Sequence, residues 1–478
     1  MQIMIPLIQR GSKPRYQQIY EFYRESILNR RLAFGEKLPS YRWLGKQLGV
    51  SNNTVLQAYD QLIAEGYVSN EPRRGLFVNK IEIKDWQQLK WPSPPARRQP
   101  KNARAPFSAS VHLVDQTNFP LKQWRKCSNW ALDNISFQYE EHESNDPLKE
   151  ELLKYLYKYR GVVAVQEQLV VGSGTSALLF WLAYVLRNEC SKILFEDPGY
   201  TRIRNLFDEF GYAIKSIPVL DSGIDLGTLA KEKADLLYLT PSHQYPTGVA
   251  LPVSHRLQVL DWAKRTQAFV IEDDFDCEFR YKTQLIPSLQ ALDASGNVIY
   301  LGTFSSALMP SLRVAYLILP RTLLEPVSAF RHLTNTVPYF TRKTLALFME
   351  NGFWESHLRK MNKVYRTKYE SCVNALRKLP MQTIRFNNNP SGLNIFLKVY
   401  SSYTESEIVQ LAEDQGILVT PASQFYYSKK KRTKHTEILF EFGSIPTKEI
   451  EAIIARLYDA WFNKSRMRNT ETRMRNEK

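Results

Sequence analysis

The sequence has no run of about 18 or more uncharged apolar residues, the length that a membrane-crossing helix needs. Its first residues also lack the charged segment and long apolar stretch of a secretory signal. Four cysteines are scattered singly along 478 residues, without the close pairing of a zinc site or the density of a secreted scaffold. We therefore expect a cytoplasmic protein with free thiols, no metal site and no membrane partner.

Acidic residues are in the minority, and the net charge of +16 is unevenly distributed. Residues 1–79 have 11 Lys or Arg against six Asp or Glu, residues 80–106 have seven against two, and residues 464–478 have six against two. Only +2 remains for the long middle of the chain. Positive charge gathered in this way is typical of polyanion binding. Charge alone is also compatible with a surface that only keeps the protein soluble.

The length predicts two or three domains. We place a small helical module at 1–79, a basic, proline-containing linker at 80–106, a large domain at 107–463 and a basic disordered tail at 464–478. Proline favours extended backbone, so the linker should be semi-rigid. Two interpretations of the linker stay open: it sets the separation of two domains, or it also touches DNA.

Apolar residues recur at helical spacing between residues 14 and 29, which predicts an amphipathic helix. Ser40 is a candidate N-cap for a second helix that Gly49 ends, and Ser51 for a third. Residues 66–68 and 73–78 resemble two strands around a polar turn, with Arg73 and Arg74 near its tip. Two short helices joined by a glycine-containing turn indicate a helix-turn-helix with a wing.

This module resembles the GntR-type winged helix over about 65 residues. The resemblance rests on LPSYR at 38–42, VSNNTV at 50–55, AY at 58–59, Leu62, EGY at 65–67 and GLFV at 75–78. It implies binding to double-stranded DNA. Arg42 and Thr54 would contact phosphates or bases, the helix start at Ser51, Asn52 and Asn53 would enter the major groove, and Arg73 and Arg74 would reach the backbone or minor groove. Asn52 departs from the family, which usually has arginine there.

In the large domain, short β-branched runs alternate with helical stretches, which predicts a mostly parallel sheet with crossover helices. The runs are 169–171, 192–195, 236–239, 268–271 and 298–301, and each ends at a polar motif. In open α/β sheets ligands bind beyond the carboxyl ends of the strands, so these motifs should converge on one crevice. They are VGSGTSA at 171–177, EDPGYTR at 196–202, TPSHQYPTG at 240–248, IEDDFD at 271–276 and SSALMPSLR at 305–313.

These motifs resemble those of the fold-type I aminotransferases, and with the winged helix the whole chain is similar to the MocR-type regulators of the GntR superfamily. HLRKM at 357–361 and GILVTP at 416–421 extend the resemblance, which spans roughly residues 14–460. It implies an α+β winged helix, an α/β aminotransferase-like domain with a smaller C-terminal α+β subdomain, and a homodimer. It also implies a pyridoxal phosphate site in which Gly174, Thr175 and Arg313 bind the phosphate, Tyr200 stacks on the ring and Asp273 pairs with the pyridine nitrogen, with Ser305 as a further cofactor-binding residue. Arg202 would contact a ligand carboxylate, although an ordinary surface role is equally compatible with its position.

The sequence departs from the family pattern at four positions that concern the chemistry. Ser306 occupies the position of the lysine that forms the Schiff base, and no lysine occurs from residue 283 through 342. A hydroxyl cannot form that imine, and it cannot serve as the mobile amine base. Phe275 replaces a tyrosine, and Leu439 and Glu441 stand where the family usually has arginine and glycine.

We therefore predict a DNA-binding regulator whose degenerate aminotransferase domain dimerises or senses an amino-acid or vitamin B6-type effector, with pyridoxal phosphate bound noncovalently if at all. Two alternatives stay open. One is an active aminotransferase carrying a DNA-binding module. The other is a purely structural domain without cofactor, whose motifs persist because the sheet and its turns need them.

Overall fold

The computed structural model describes Pro6 and residues 13–81, 107–108, 114–134, 146–281, 286–334, 336–427 and 435–463. Nearly all of the predicted linker and the whole predicted tail lie outside these residues. The chain divides into two compact units at residues 101 and 102. Within the described ranges, none of the helices combines the length and the apolarity that crossing a bilayer requires.

The first unit is a three-helix module with a two-stranded wing. Its elements are α1 (Arg15–Leu28), α2 (Tyr41–Leu48), α3 (Asn52–Ala64), β1 (Val68–Glu71) and β2 (Gly75–Val78). Tyr23, Tyr59 and Leu62 are buried where α1 packs on α3. The strands are antiparallel, with Val68 opposite Val78 and Glu71 opposite Gly75. The predicted helix-turn-helix and wing are confirmed.

Helix boundaries in this unit follow from local chemistry. The Ser40 hydroxyl accepts a hydrogen bond from the Trp43 amide at 3.3 Å and so caps α2. Gly49 then ends α2 at a φ of 62°, in the left-handed region that glycine adopts most easily. Both assignments were predicted from the sequence alone because a cap depends on residues within one turn of it.

The second unit is built on an eight-stranded sheet. Its strands are β4 (Leu169–Gly172), β5 (Lys192–Asp197), β6 (Ala213–Leu220), β7 (Gly223–Ile224), β8 (Leu236–Leu239), β9 (Phe269–Asp273), β10 (Val298–Thr303) and β11 (Ala315–Ile318), in the order β4-β11-β10-β9-β8-β5-β6-β7. The central strands β10, β9, β8, β5 and β6 are parallel. Strand β11 runs antiparallel between β4 and β10, and β7 is an antiparallel edge. The sheet is thus mostly parallel, as predicted.

Four-residue strands such as β4 and β8 are buried throughout because helices cover both faces of such a sheet. The helices of this unit are α4 (Leu121–Asp133), α5 (Pro147–Arg160), α6 (Thr175–Leu186), α7 (Thr201–Glu209), α8 (Leu226–Leu229), α9 (Val253–Thr266), α10 (Leu289–Leu292), α11 (Leu324–Ser328), α12 (Tyr339–Glu350), α13 (Phe353–Arg377), α14 (Glu405–Asp414) and α15 (Ile450–Phe462).

A smaller antiparallel sheet forms the C-terminal part of this unit. It contains β12 (Ile384–Phe386), β13 (Asn394–Val399), β16 (Thr436–Glu441) and β15 (Thr420–Pro421), in that spatial order. Strand β14 (Ile417–Leu418) pairs separately with β3 (Phe107–Ser108). The predicted smaller α+β subdomain is therefore present.

Candidate functional sites

The start of α3 carries the residues predicted to enter the major groove. Ser51 caps the helix by accepting from the Thr54 amide at 3.2 Å, and the two hydroxyls lie 2.8 Å apart. Ser51, Asn52 and Asn53 are exposed, whereas Thr54 is half-buried. The cap leaves the first polar side chains of the helix on the surface, as base readout by a recognition helix requires.

The arginines predicted to contact DNA come before and after this helix start in the sequence, and they are exposed. Arg42 is exposed, with its guanidinium 5.6 Å from the Tyr41 ring centroid. Arg73 is exposed at the wing tip with a φ of 64°. Arg74 forms an ion pair with Glu71 and lies 5.3 Å from the Phe77 ring centroid. Because surface ion pairs are weak, replacing Glu71 by a DNA phosphate as the partner of Arg74 would cost little free energy.

Sequence reasoning missed the role of Gly45, which lies inside α2. A Cβ on Gly45 would lie 2.9 Å from Asn52 Oδ1 and 3.2 Å from the Val50 carbonyl oxygen. The absence of a side chain at Gly45 therefore lets the Asn52 side chain approach α2 closely. Glycine is unfavourable inside a helix, so its presence at position 45 was the only available signal.

Residues from the carboxyl ends of five strands form one cleft in the second unit. The residues that line it are Thr175, Ser176, Tyr200, Arg202, Thr240, Tyr245, Asp273, Phe275, Thr303, Ser305, Ser306, Pro310 and Arg313. Every cofactor or ligand residue predicted from the sequence is among them except Gly174, which lies directly beneath Arg313. The predicted convergence of motifs separated by more than 100 positions is therefore confirmed.

One corner of the cleft is suited to an anion. A Cβ on Gly174 would lie 2.5 Å from Arg313 Nη2, so the guanidinium occupies the space that a side chain would fill. Gly174 is also the N-cap of α6, at a φ of 93°. The Ser305 amide donates to Thr303 Oγ1 at 3.2 Å, which fixes the neighbouring loop. Free amides at a helix start, together with a guanidinium, are the groups that bind phosphate elsewhere in proteins.

Asp273 also lines the cleft. Its side chain is buried, and the Tyr238 hydroxyl donates a hydrogen bond to Oδ2. Burial raises the pKa of Asp273 to about 7, and the neighbouring Asp274 and Asp276 carboxylates add to the rise. A buried carboxylate that is costly to ionise is ready to pair with a cation such as a protonated pyridine nitrogen.

The two carboxylates that flank Asp273 have structural partners. Glu272 accepts from the Leu289 and Gln290 amides at 2.7 and 3.0 Å. Arg160 donates to Asp274 Oδ2 at 2.7 Å. Burial works against ionisation of Asp274, but the Arg160 charge prevails and lowers the pKa of that carboxyl. Of the three consecutive acids, only Asp273 lines the cleft.

Ser306 lies in the cleft with its hydroxyl engaged. Its Oγ donates to the Phe275 carbonyl oxygen at 2.6 Å. The Phe275 ring lies 5.9 Å from the Tyr245 ring, edge to face. Among the described residues that line the cleft there is no lysine. The described lining offers hydroxyl, carboxylate and guanidinium groups.

Tyr200 and Arg202 complete the set. Tyr200 is half-buried, and its ring centroid lies 5.8 Å from that of Tyr245 in an edge-to-face arrangement. Arg202 is exposed at the rim. Sequence reasoning missed Tyr238. Tyr238 lies 35 positions from Asp273, and nothing local in the sequence links the two.

A GntR-like winged helix in one unit and a fold-type I aminotransferase fold in the other define a class of protein: a transcription regulator built on an aminotransferase scaffold. Residues 15–78 match the family model of bacterial regulatory proteins of the gntR family, and residues 106–441 match that of aminotransferase class I and II. The chain belongs to the MocR-type HTH transcriptional regulators.

Relatives of full length support this assignment. The HTH-type transcriptional regulator YdeL of Bacillus subtilis is 37% identical over 458 residues, which cover 94% of this chain and 97% of YdeL. MocR of Rhizobium meliloti is 29% identical, with 89% and 90% covered. Among solved structures, kynurenine aminotransferase of Pyrococcus horikoshii, in complex with PMP, has a TM-score of 0.68 and 22% identity over 75% of this chain and 91% of the enzyme. That last likeness concerns the fold alone.

Proposed function

We propose that this regulator binds DNA through α3, Arg42 and the wing, and that its aminotransferase-like unit binds pyridoxal phosphate noncovalently as part of a ligand-responsive, dimeric domain. The observation that carries the proposal is the engaged hydroxyl of Ser306 in a cleft whose other residues suit the cofactor. The described lining keeps residues suited to noncovalent binding of the cofactor, while Ser306 stands where a lysine would attach it.

The residues present fit pyridoxal phosphate. Arg313, Thr175 and Ser305 would hold the phosphate at the start of α6, Asp273 would face the pyridine nitrogen, and Tyr200 would cover the ring. The cofactor supplies an aldehyde and an electron-withdrawing ring. In this chain the protein's own groups would bind and orient the cofactor: a hydroxyl at 306 cannot form an imine with the aldehyde, and it cannot shuttle a proton as an amine would.

A symmetric dimer would present two winged helices to two half-sites, which is how regulators of this size commonly read operators. The large contribution of phosphates to such binding makes it sensitive to salt. Footprinting of DNA next to the gene, with and without pyridoxal phosphate, tests the whole proposal. We expect two protected half-sites and a change of affinity with the cofactor. The same footprint and affinity under both conditions would contradict the cofactor's part.

Arg42→Ala tests the docking of the winged helix. Loss of one phosphate contact should weaken binding across DNA sequences and reduce the slope of log affinity against log salt by about 1. Arg15→Ala, at the exposed start of α1, removes the same charge outside the proposed interface and serves as control. Equal slopes for the Arg42 variant and the parent would contradict this docking.

An active aminotransferase is the competing function. Adding pyridoxal phosphate to the purified protein and recording absorbance separates the two. We expect the spectrum of the free aldehyde, perturbed by its surroundings. An imine band that borohydride fixes to one lysine would favour the enzyme.

A further inference from the structure

One face of α3 is buried, and the opposite face is polar and exposed. The buried residues of the helix are Val55, Ala58, Tyr59 and Leu62. Asn53 and Gln57 are exposed and lie four positions apart, so their side chains are neighbours on the helix surface. At 3.6 residues per turn, both of them point away from the buried face. The outward face of the candidate recognition helix therefore carries a carboxamide pair, Asn53 and Gln57.

The other two carboxamides of α3 are directed elsewhere. Gln61 Nε2 donates a hydrogen bond to Glu65 Oε1 at 3.1 Å. Asn52 Oδ1 lies close to α2, where a Cβ on Gly45 would be only 2.9 Å from it. Neither member of the carboxamide pair has a hydrogen-bond partner among the residues that the structure describes. The pair can therefore give all its donors and acceptors to a ligand on this face.

A carboxamide without other partners matches one base edge in the major groove. Its oxygen accepts from the N6 amino group of adenine while its NH2 group donates to N7, so that both contacts form with a single base. Guanine and thymine present acceptors without a donor at this edge, and cytosine presents a donor without an acceptor. None of these three satisfies both halves of the amide, and adenine is therefore the preferred base for each member of the pair.

The spacing of the carboxamide pair limits where two adenines can lie. Four residues of helix span about 6 Å along the axis, which is roughly two base-pair steps. Asp60 is exposed on the same side, three positions after Gln57, and phosphates repel its carboxylate. Contact with bases is therefore confined to the part of α3 that ends at Gln57.

We propose that Asn53 and Gln57 each bind an adenine in the major groove, so that every half-site contains two A·T pairs within three consecutive base pairs. Gln57 is thereby a specificity-determining residue that was not among the DNA contacts predicted from the sequence. The inference rests on the proposed function in one respect, namely that α3 enters the major groove.

Selection of bound duplexes from a random library by the full-length protein gives the preferred half-site. For the parent protein we expect two adenines within three consecutive positions. Each adenine is then replaced in turn by 7-deazaadenine, which lacks the N7 acceptor and still pairs with thymine. The affinity of the parent should fall about tenfold for each replacement, which lies within the range for one bidentate base contact.

Gln57→Ala should lose the adenine preference at one of the two positions and become insensitive to 7-deazaadenine there. The slope of log affinity against log salt should not change, because a base contact releases no counterions. Alanine is a good helix former, so the exposed substitution should leave α3 intact. Gln61→Ala removes the same group from the same helix and is the matched control, which should keep both preferences.

Selected half-sites without the adenine pair, an affinity of the parent that 7-deazaadenine does not change, or equal preferences of the Gln57 variant and the parent would overturn the inference and leave DNA binding itself intact. A parent protein that binds no duplex from the library would contradict the proposed function and the inference with it. The 7-deazaadenine measurement uses the parent alone, so it decides the matter even if a variant fails to fold.

Discussion

At the scale of single residues, Asp273 combines an unfavourable buried charge with a position in the candidate cofactor site. Its pKa of about 7 means that this carboxylate resists ionisation near neutral pH. The free-energy cost of the buried charge favours the binding of a cation, because a bound cation would compensate that charge. The Tyr238 hydroxyl orients the carboxylate without neutralising it.

Asp273→Asn should therefore stabilise the protein without ligand at neutral and alkaline pH. The folded-state pKa lies above the ordinary value of about 4, so the parent loses stability as pH rises from about 4 to about 7, and the loss levels off above that. The melting temperature of the variant minus that of the parent should grow over this window. A difference that is constant from pH 4 to pH 8 would show that Asp273 ionises as an ordinary carboxyl.

Residue identities were predicted from the sequence where a motif fixes them, and partners were not. Asp273 ends a buried strand, and Arg313 ends the motif at 305–313, so the sequence alone made both of them candidates. The approach of Arg313 to Gly174 and the hydrogen bond from Tyr238 depend on which strands become neighbours, and that is decided by the packing of the whole sheet.

At the scale of elements, helix capping and predicted DNA contact coincide at the start of α3 and can be tested separately. Ser51 caps the helix, and its exposed side chain is also a predicted DNA contact. Ser51→Ala should lower the stability of the first unit by about 1 kcal/mol through loss of the cap. Ser51→Asp keeps a capping oxygen and adds a negative charge at the helix start, which favours the helix and opposes DNA.

Melting and DNA titration of the two variants separate these effects. We expect the alanine variant to melt earlier than the parent, and the aspartate variant to melt near the parent while losing DNA affinity. An aspartate variant that binds DNA as the parent does would remove the start of α3 from the interface.

Gly174, in the turn before α6, provides a test of the proposed phosphate site. Gly174→Ala forces a Cβ into the Arg313 guanidinium and strains a backbone at a φ of 93°. Gly211→Ala also strains a backbone with a positive φ, 84°, but its Cβ would meet no atom within 4 Å. Both should lose stability, by about 1 kcal/mol for the unfavourable backbone. Only the Gly174 variant should lose affinity for pyridoxine phosphate, and equal affinities of the two variants would contradict the assignment of this corner.

Element boundaries were predictable to the extent that their causes are local. The caps at Ser40 and Ser51 and the stop at Gly49 were read directly from the sequence, and the strand run at 236–239 matches β8. The antiparallel direction of β11 was not anticipated. The connection from β10, residues 304–314, is shorter than the crossover of about a dozen residues or more that a parallel neighbour needs, and its composition was interpreted only as cofactor chemistry.

At the scale of the whole molecule, two compact units carry complementary signals. The first has the surface cations and exposed helix start expected of a DNA-binding module, and the second has a cleft whose lining includes Arg313, the buried Asp273 and Ser306. The MocR-type family unites both units in one chain. For regulation, a ligand that binds in the cleft must shift the protein between two conformations. It does so when its affinity for the two conformations differs.

Amino-group exchange tests this reading most directly. The purified protein is incubated with pyridoxal phosphate, labelled alanine and a keto acid, and transfer of the label is followed against a cofactor-only blank. We predict a rate equal to the blank at every protein concentration, because Ser306 can supply neither the imine nor the mobile base. Steady exchange that rises in proportion to protein concentration would contradict it.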